Sequence, residues 1–165
     1  KGRAIIASSI SDGIKSDFLV RPRPGDIHGD NSNNISEFLG NNISVAHKDE
    51  NIITLYKNAR IVIFETLSTG FLECLIIGKP TILYIHNRYL YFINQQAKEL
   101  HSLLTELGLV IYDVESLINI LKTDITKWWI SKINQKSFHD LKYKYARTSS
   151  AYIKDWVNEL INMAV

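Results

Sequence analysis

Short apolar runs alternate with segments of helical period along most of this chain, and that alternation sets its fold class. Runs rich in β-branched residues at 4–7, 18–20, 43–45, 61–64, 81–84 and 110–112 read as strands. Runs this short, with little polar alternation, suit strands buried on both faces, as in parallel sheets. Between them, residues 50–59 place Ile52, Ile53, Leu55 and Tyr56 at helical spacing, so this segment is a helix packed on the sheet. Residues 91–107 read as a long helix closed by Gly108 in the C′ position. Asp113 is placed to cap a helix running to about Leu121, with Leu117, Ile118, Ile120 and Leu121 as its buried face. Residues 127–145 and 150–163 carry apolar positions at helical intervals. The prolines and glycine of Arg21-Pro22-Arg23-Pro24-Gly25 end regular structure after the second strand. Residues 27–42 are a polar loop with one helical turn near 36–39. The pattern predicts a three-layer α/β domain with a mainly parallel sheet and extra C-terminal helices.

The most informative stretch is RIVIFETLSTGFLECLIIGKPTILYI, residues 60–85. It reads as strand, polar turn, amphipathic helix, Gly78-Lys79-Pro80 and a second strand. The turn holds Glu65, Thr66, Ser68, Thr69 and Gly70, where the first strand ends and the helix begins. Ligands of open α/β sheets bind beyond the carboxyl ends of the strands. A helix N-terminus there offers unpaired N–H groups and a positive dipole end, which suit a phosphate-bearing ligand. The plainer alternative is a helix cap, with Thr69 and Glu73 as a loose capping arrangement.

Composition narrows the field. The 165 residues fit one domain able to bury a core, and 45% hydrophobic with 22% charged content is ordinary for a globular protein. A net charge of +2 is too small to argue for nucleic acid or an anionic membrane as partner. Cys74 is the sole cysteine and falls on an apolar helix face, as a buried inert thiol does. No run of about 18 apolar residues predicts a transmembrane segment. No secretory signal is visible, so a cytoplasmic location is the default expectation. The abrupt start at Lys1-Gly2 suggests a piece of a longer protein.

Arg21 and Arg23 lie two apart at the end of a strand, where extended backbone points both side chains to one face. Two guanidinium forks there can converge on a phosphate or carboxylate, or can make ordinary surface ion pairs. Glu73, one turn into the helix, can accept from a ribose or sugar diol, or can serve the helix dipole. Glu65 ends a strand and is a ligand contact or an arginine's partner. His28, His47, His86, His101 and His139 are scattered without metal-ligand spacing, so no metal and no cofactor is expected. Trp128-Trp129 offers a sugar platform or, more commonly, one core tryptophan at a helix start.

The series Leu19-Val20-Arg21-Pro22-Arg23-Pro24, Ser68-Thr69-Gly70-Phe71-Leu72-Glu73, Pro80-Thr81, Trp128-Trp129 and Ala146-Arg147-Thr148-Ser149 with Trp156 resembles the C-terminal part of a bacterial family. Its members are transferases of surface-carbohydrate biosynthesis, related in form to GT-B glycosyltransferases. The resemblance covers nearly the whole chain in the same order. It implies that residues 1–165 form the Rossmann-like, donor-binding half of a GT-B architecture, the C-terminal part of a two-domain protein. The implied partners are a nucleotide-sugar donor and a carbohydrate acceptor held by an N-terminal domain not included in this sequence. Chemistry would then occur between the halves without a bound metal, and this piece alone would be inactive. By the same resemblance the donor-binding residues are Arg21, Arg23, Glu65, Thr66, Ser68, Thr69, Gly70 and Glu73. Glu65 and Glu73 have the Glu-x7-Glu spacing of some retaining GT-B enzymes, although Glu65 replaces a threonine expected in the resembled family. The resemblance adds a peripheral position at the inner membrane face as a variant of the cytoplasmic location. Two other classes compete: an epimerase-type or sensory nucleotide-binding domain, and a scaffold that binds no ligand. A scaffold needs neither the arginine pair nor the Ser-Thr-Gly turn, and an epimerase calls for an acid and histidine constellation that is not visible here.

Overall fold

The computed structural model describes residues 18–21, 43–47, 49–85, 95–146 and 148. The strand expected at 4–7, the helical turn near 36–39, Arg23, the start of helix 91–107 and the helix at 150–163 lie outside these residues. In chain order the described elements are β1 (Leu19–Val20), β2 (Ser44–Val45), α1 (Ile52–Asn58), β3 (Val62–Phe64), α2 (Thr69–Ile76), β4 (Thr81–Tyr84), α3 (Gln95–Glu106), β5 (Val110–Ile111), α4 (Val114–Leu121), α5 (Ile125–Ile133) and α6 (Lys136–Tyr145). β1 pairs with β2, and β3, β4 and β5 pair in that order; every pairing is parallel. The fold is the α/β class that the alternation predicts.

β4 is the central strand of its sheet, and its pleat divides the core. Leu83 and Ile85 join Phe71, Leu75, Leu104, Leu107, Trp129, Phe138 and Leu141 on one face. Ile82 and Tyr84 meet Leu117 of α4 on the other. Helices therefore cover both faces, and Thr81–Tyr84 is buried at every position. β3, expected to be buried like β4, is only half-buried along its length; among the described strands it is the edge of its hydrogen-bonded sheet. Phe18 packs against both the Ile82–Leu117 cluster and Ile43, so it links the two sheets.

Local chemistry sets the helix ends. Gly78 (φ 72) and Gly108 (φ 67) take the left-handed conformation that closes α2 and α3. In each, paired backbone bonds run back into the last turn: Gly78 N to Leu75 O at 3.2 Å and Lys79 N to Cys74 O at 2.9 Å, then Gly108 N to Thr105 O and Leu109 N to Leu104 O, both at 2.9 Å. Lys79 Nζ donates to Lys57 O (2.8 Å) and Ala59 O (2.7 Å), which ties the end of α1 to the turn before β4. Residues 127–145, expected as one helical stretch, form two helices. The first starts earlier, where Asp124 Oδ1 accepts from Lys127 N at 3.1 Å, and it ends at Asn134 before Gln135 turns extended.

Asp113 caps α4 as expected, its Oδ1 accepting from Ser116 N at 2.7 Å. Hydrogen bonds from Ser116 hold its carboxyl below the ordinary range. A depressed folded value adds stability that is present above the unfolded carboxyl's pKa and is lost as pH falls through the folded one. Asp113→Ala should therefore cost about 1 kcal/mol at neutral pH. In thermal melts that gap should close as the pH drops below about 4. A gap of constant size through acid would rule out the carboxylate cap as its source.

Candidate functional site

Side chains cap three of the described helices, whereas α2 and α6 have no side-chain cap bond. Asn51 Oδ1 accepts from Ile53 N (2.9 Å) and Thr54 N (3.2 Å) at α1, and Asp113 and Asp124 do the same work at α4 and α5. At α2 the cap is Ser68, in extended backbone, and its side chain makes no cap bond. Ser68 O accepts from Phe71 N (3.1 Å) and Leu72 N (3.5 Å), so Thr69 and Gly70 keep N–H groups at the mouth of the helix without an intrahelical acceptor. Thr69 is the first helical residue rather than the cap. It is exposed, whereas Ser68 and Gly70 are half-buried.

Arg21 follows β1 directly and is half-buried. Its Nη1 is a buried donor with no acceptor among the described residues. The guanidinium lies close enough to Tyr56 to pull the phenol's pKa downward, and Glu73 lies close enough to push it up. Tyr56 in turn reaches the first turn of α2: a Cβ added at Gly70 would stand 2.5 Å from Tyr56 Oη and 3.2 Å from Phe64 Cε1. Ring contacts continue from Tyr56 to Phe64 (centroids 5.9 Å) and from Phe64 to Phe71 (5.6 Å), both edge to face. Arg21 after β1 and Gly70 and Glu73 of α2, two segments far apart in sequence, are thus grouped around Tyr56.

Glu65 is placed differently. Phe64 turns toward Tyr56 and Phe71, and Glu65, next along the chain, acts on Tyr84. Burial raises the Tyr84 phenol, with Asp113 and Glu65 adding to the rise in that order. Glu65 therefore groups with Tyr84 and Asp113 at the ends of β3, β4 and β5, whereas Glu73 groups with Tyr56 and Arg21. Thr66 is exposed in the bend between β3 and α2.

Sequence reasoning passed over Tyr56, reading it only as one of four apolar positions on α1. The signal was there: the one buried residue of α1 is a tyrosine, which carries a hydroxyl that a phenylalanine would spare it. Of the two tryptophans, Trp129 is the core residue, its Nε1 donating to Gly78 O at 3.0 Å. Trp128 is half-buried with Lys132 Nζ 5.8 Å from its ring centroid. Cys74 is buried, and burial first of all pushes its thiol up to about 12, which suits packing rather than nucleophilic attack. Among the described residues no group of three or more His, Cys, Asp or Glu can hold a metal ion. No described helix is long and apolar enough to cross a membrane.

A family model described as LIC12162 family transferase matches residues 3–160 of the chain. Comparison with curated proteins and with solved structures gives no match.

Proposed function

The chain belongs to the LIC12162 family of transferases, and on that premise we propose that it is the donor-binding part of a glycosyltransferase that uses a nucleotide sugar in bacterial surface-carbohydrate synthesis. The observation that carries the reading is Arg21 Nη1, a buried cationic donor without an acceptor among the described residues, close to Tyr56 at the first turn of α2. A buried donor left unpaired costs stability, so its retention points to a ligand that supplies the acceptor. The donor's diphosphate is such a ligand. In this reading Arg21 neutralises its charge, with Arg23 as the second fork. The N–H groups at Ser68–Gly70 hold a phosphate oxygen under the helix dipole. Glu73 takes a ribose or sugar hydroxyl, and Glu65 and Thr66 border the far side of the same strand ends.

The wider proposal is a GT-B arrangement in which this Rossmann-like domain faces an N-terminal domain that brings the carbohydrate acceptor. Activity would then need both halves, at a cytoplasmic site or one peripheral to the inner membrane face. The test is a thermal-shift screen of the full-length protein against nucleotides and nucleotide sugars. A ligand at about 100 times its Kd adds roughly 2.7 kcal/mol, equivalent to a rise of roughly 5–10 °C for a domain of this size. One nucleotide sugar should raise the melting temperature more than its free nucleotide does. Equal shifts by both would favour the nucleotide-sensor reading, and no shift by any would reject donor binding.

A further inference from the structure

We propose that Lys79 is a positioning residue of the donor site, whose ammonium holds the end of α1 so that Tyr56 stays against Gly70 and near Arg21. The inference rests on the donor-site reading above and adds a residue that this reading does not use.

α1 spans only seven residues, Ile52–Asn58, and Tyr56 is its one buried side chain. A helix this short does not hold its own conformation in water, so its place depends on what ties it down. Its last carbonyls have no donors within the helix. Lys79 Nζ supplies them, to Lys57 O at 2.8 Å and Ala59 O at 2.7 Å, and Lys57 is the residue next to Tyr56. The helix dipole does not call for Lys79, because Lys57 already stands in the last turn of α1. Lys79 reaches these carbonyls from 22 and 20 residues away. Its stem is fixed at the base. Lys79 N donates to Cys74 O at 2.9 Å in the turn that closes α2. Pro80, the next residue, confines Lys79 to extended backbone, and Pro80 O accepts from Val62 N at 2.9 Å where β3 and β4 begin to pair.

α1 is therefore tied to α2 at two places. Lys79 makes the tie at the carboxyl end of α2. Tyr56 makes the other at its first turn, where Oη stands 2.5 Å from the position a Cβ of Gly70 would take. Between the two, the Tyr56 ring packs on Phe64 of β3 (centroids 5.9 Å). Without the ammonium, the end of α1 loses both charge-assisted bonds, and Tyr56, one residue before the Lys57 carbonyl, moves with it. Arg21 and Glu73 both lie close enough to act on the Tyr56 phenol. Movement of α1 thus alters the surroundings of the residues assigned above to a phosphate and a ligand hydroxyl. An arginine at position 79 has donors enough for the same two carbonyls, whereas methionine fills only the space of the stem.

The experiment records NMR spectra of the full-length protein with ring-labelled tyrosine and titrates it with inorganic pyrophosphate by calorimetry. It compares the wild type with Lys79→Met, Lys79→Arg and Lys142→Met. The Tyr56 resonance is the one that Tyr56→Phe removes, and the other tyrosines report that each variant is folded. Lys79→Met should move the Tyr56 resonance and weaken pyrophosphate binding about tenfold, the worth of one charge-assisted hydrogen bond. Lys79→Arg should return both toward the wild type. Lys142→Met gives up a bond of the same kind, from Nζ to Ile76 O at 3.4 Å at the end of α2, and should change neither. A Tyr56 resonance unmoved in Lys79→Met overturns the proposal. So does a moved resonance with unchanged pyrophosphate affinity, or an equal effect of Lys142→Met. The donor reading fails separately: a wild type that binds neither pyrophosphate nor any nucleotide sugar rejects that reading, and the Tyr56 resonance alone then decides whether Lys79 positions α1.

Discussion

Trp129→Ala should lower the unfolding free energy by about 3–5 kcal/mol, a large part of the roughly 5–15 kcal/mol that holds a domain folded. The indole is buried on α5, packs edge to face on Phe138 of α6 (centroids 5.5 Å), and donates from Nε1 to Gly78 O at 3.0 Å. It therefore ties the C-terminal helices to the left-handed turn between α2 and β4, beside Lys142 Nζ of α6, which donates to Ile76 O at 3.4 Å. Truncation removes the buried ring and leaves a cavity between elements whose backbones are held by other contacts, so the space cannot fully collapse. Trp129→Phe keeps most of the packing and should cost less, since it gives up one hydrogen bond of about 1 kcal/mol and part of the ring. Trp128→Ala is the control. That ring is half-buried, so its loss should stay within the ordinary range of about 0.5–3 kcal/mol. Urea unfolding of the three variants measures the order directly. Equal costs at 128 and 129 would mean that α5 is not anchored through Gly78.

The same residue illustrates what the sequence exposes and what it hides. That one tryptophan of the pair belongs in the core follows from helical periodicity. Which one does depends on where α5 begins, and that is set by Asp124, a cap lying before the segment that was read as helical. The break between α5 and α6 left no glycine or proline to mark it. Asn134 and Gln135 are tolerated in a helix, and the chain turns there because Trp129, Phe138 and Leu141 must all reach one core. Gly78 and Gly108 were legible for the opposite reason: a left-handed residue at a helix end has a local cause, and glycine fills it. The strand of residues 81–84 was readable because its burial on both faces leaves Thr81, itself β-branched, as the one short polar side chain in the run.

The site was legible in its parts and less so in its grouping. Strand ends and a hydroxyl-rich helix start locate a ligand region in any parallel α/β sheet. Sequence could not show that the Ser68 side chain leaves α2 uncapped, since the same residue is a standard N-cap. Nor could it separate Glu65 from Glu73. Their spacing invites a pair, but the pleat turns Phe64 to one side of the sheet and Glu65 toward Tyr84 on the other. Tyr56 was hidden because an aromatic at a core-facing helical position looks like packing. Only the 2.5 Å approach to the Gly70 Cβ position gives its hydroxyl a direction.

Arg21→Met should reduce affinity for the nucleotide-sugar donor about tenfold to a hundredfold, because charge-assisted hydrogen bonds worth roughly 1.5–3 kcal/mol are lost. Methionine keeps an unbranched apolar stem in the half-buried position and removes only the charged fork. Arg21→Lys should restore part of the affinity, since a point charge satisfies the field but not the planar geometry. The effect on stability should have the opposite sign. In the unliganded protein Nη1 is a buried donor without an acceptor among the described residues, and relief of such a group is worth about 1–3 kcal/mol. The melting temperature of Arg21→Met should thus equal or exceed that of the wild type, with a gain of about 2–4 °C for each kcal/mol relieved. Donor then reverses the order, because it supplies the missing acceptor to the wild type alone. Calorimetric titration and paired melts with and without donor measure both sides. A variant that melts lower without donor and binds it as tightly as the wild type would make Arg21 a structural residue. A variant that is more stable and binds more weakly would identify it as a residue kept for its ligand at the expense of the fold.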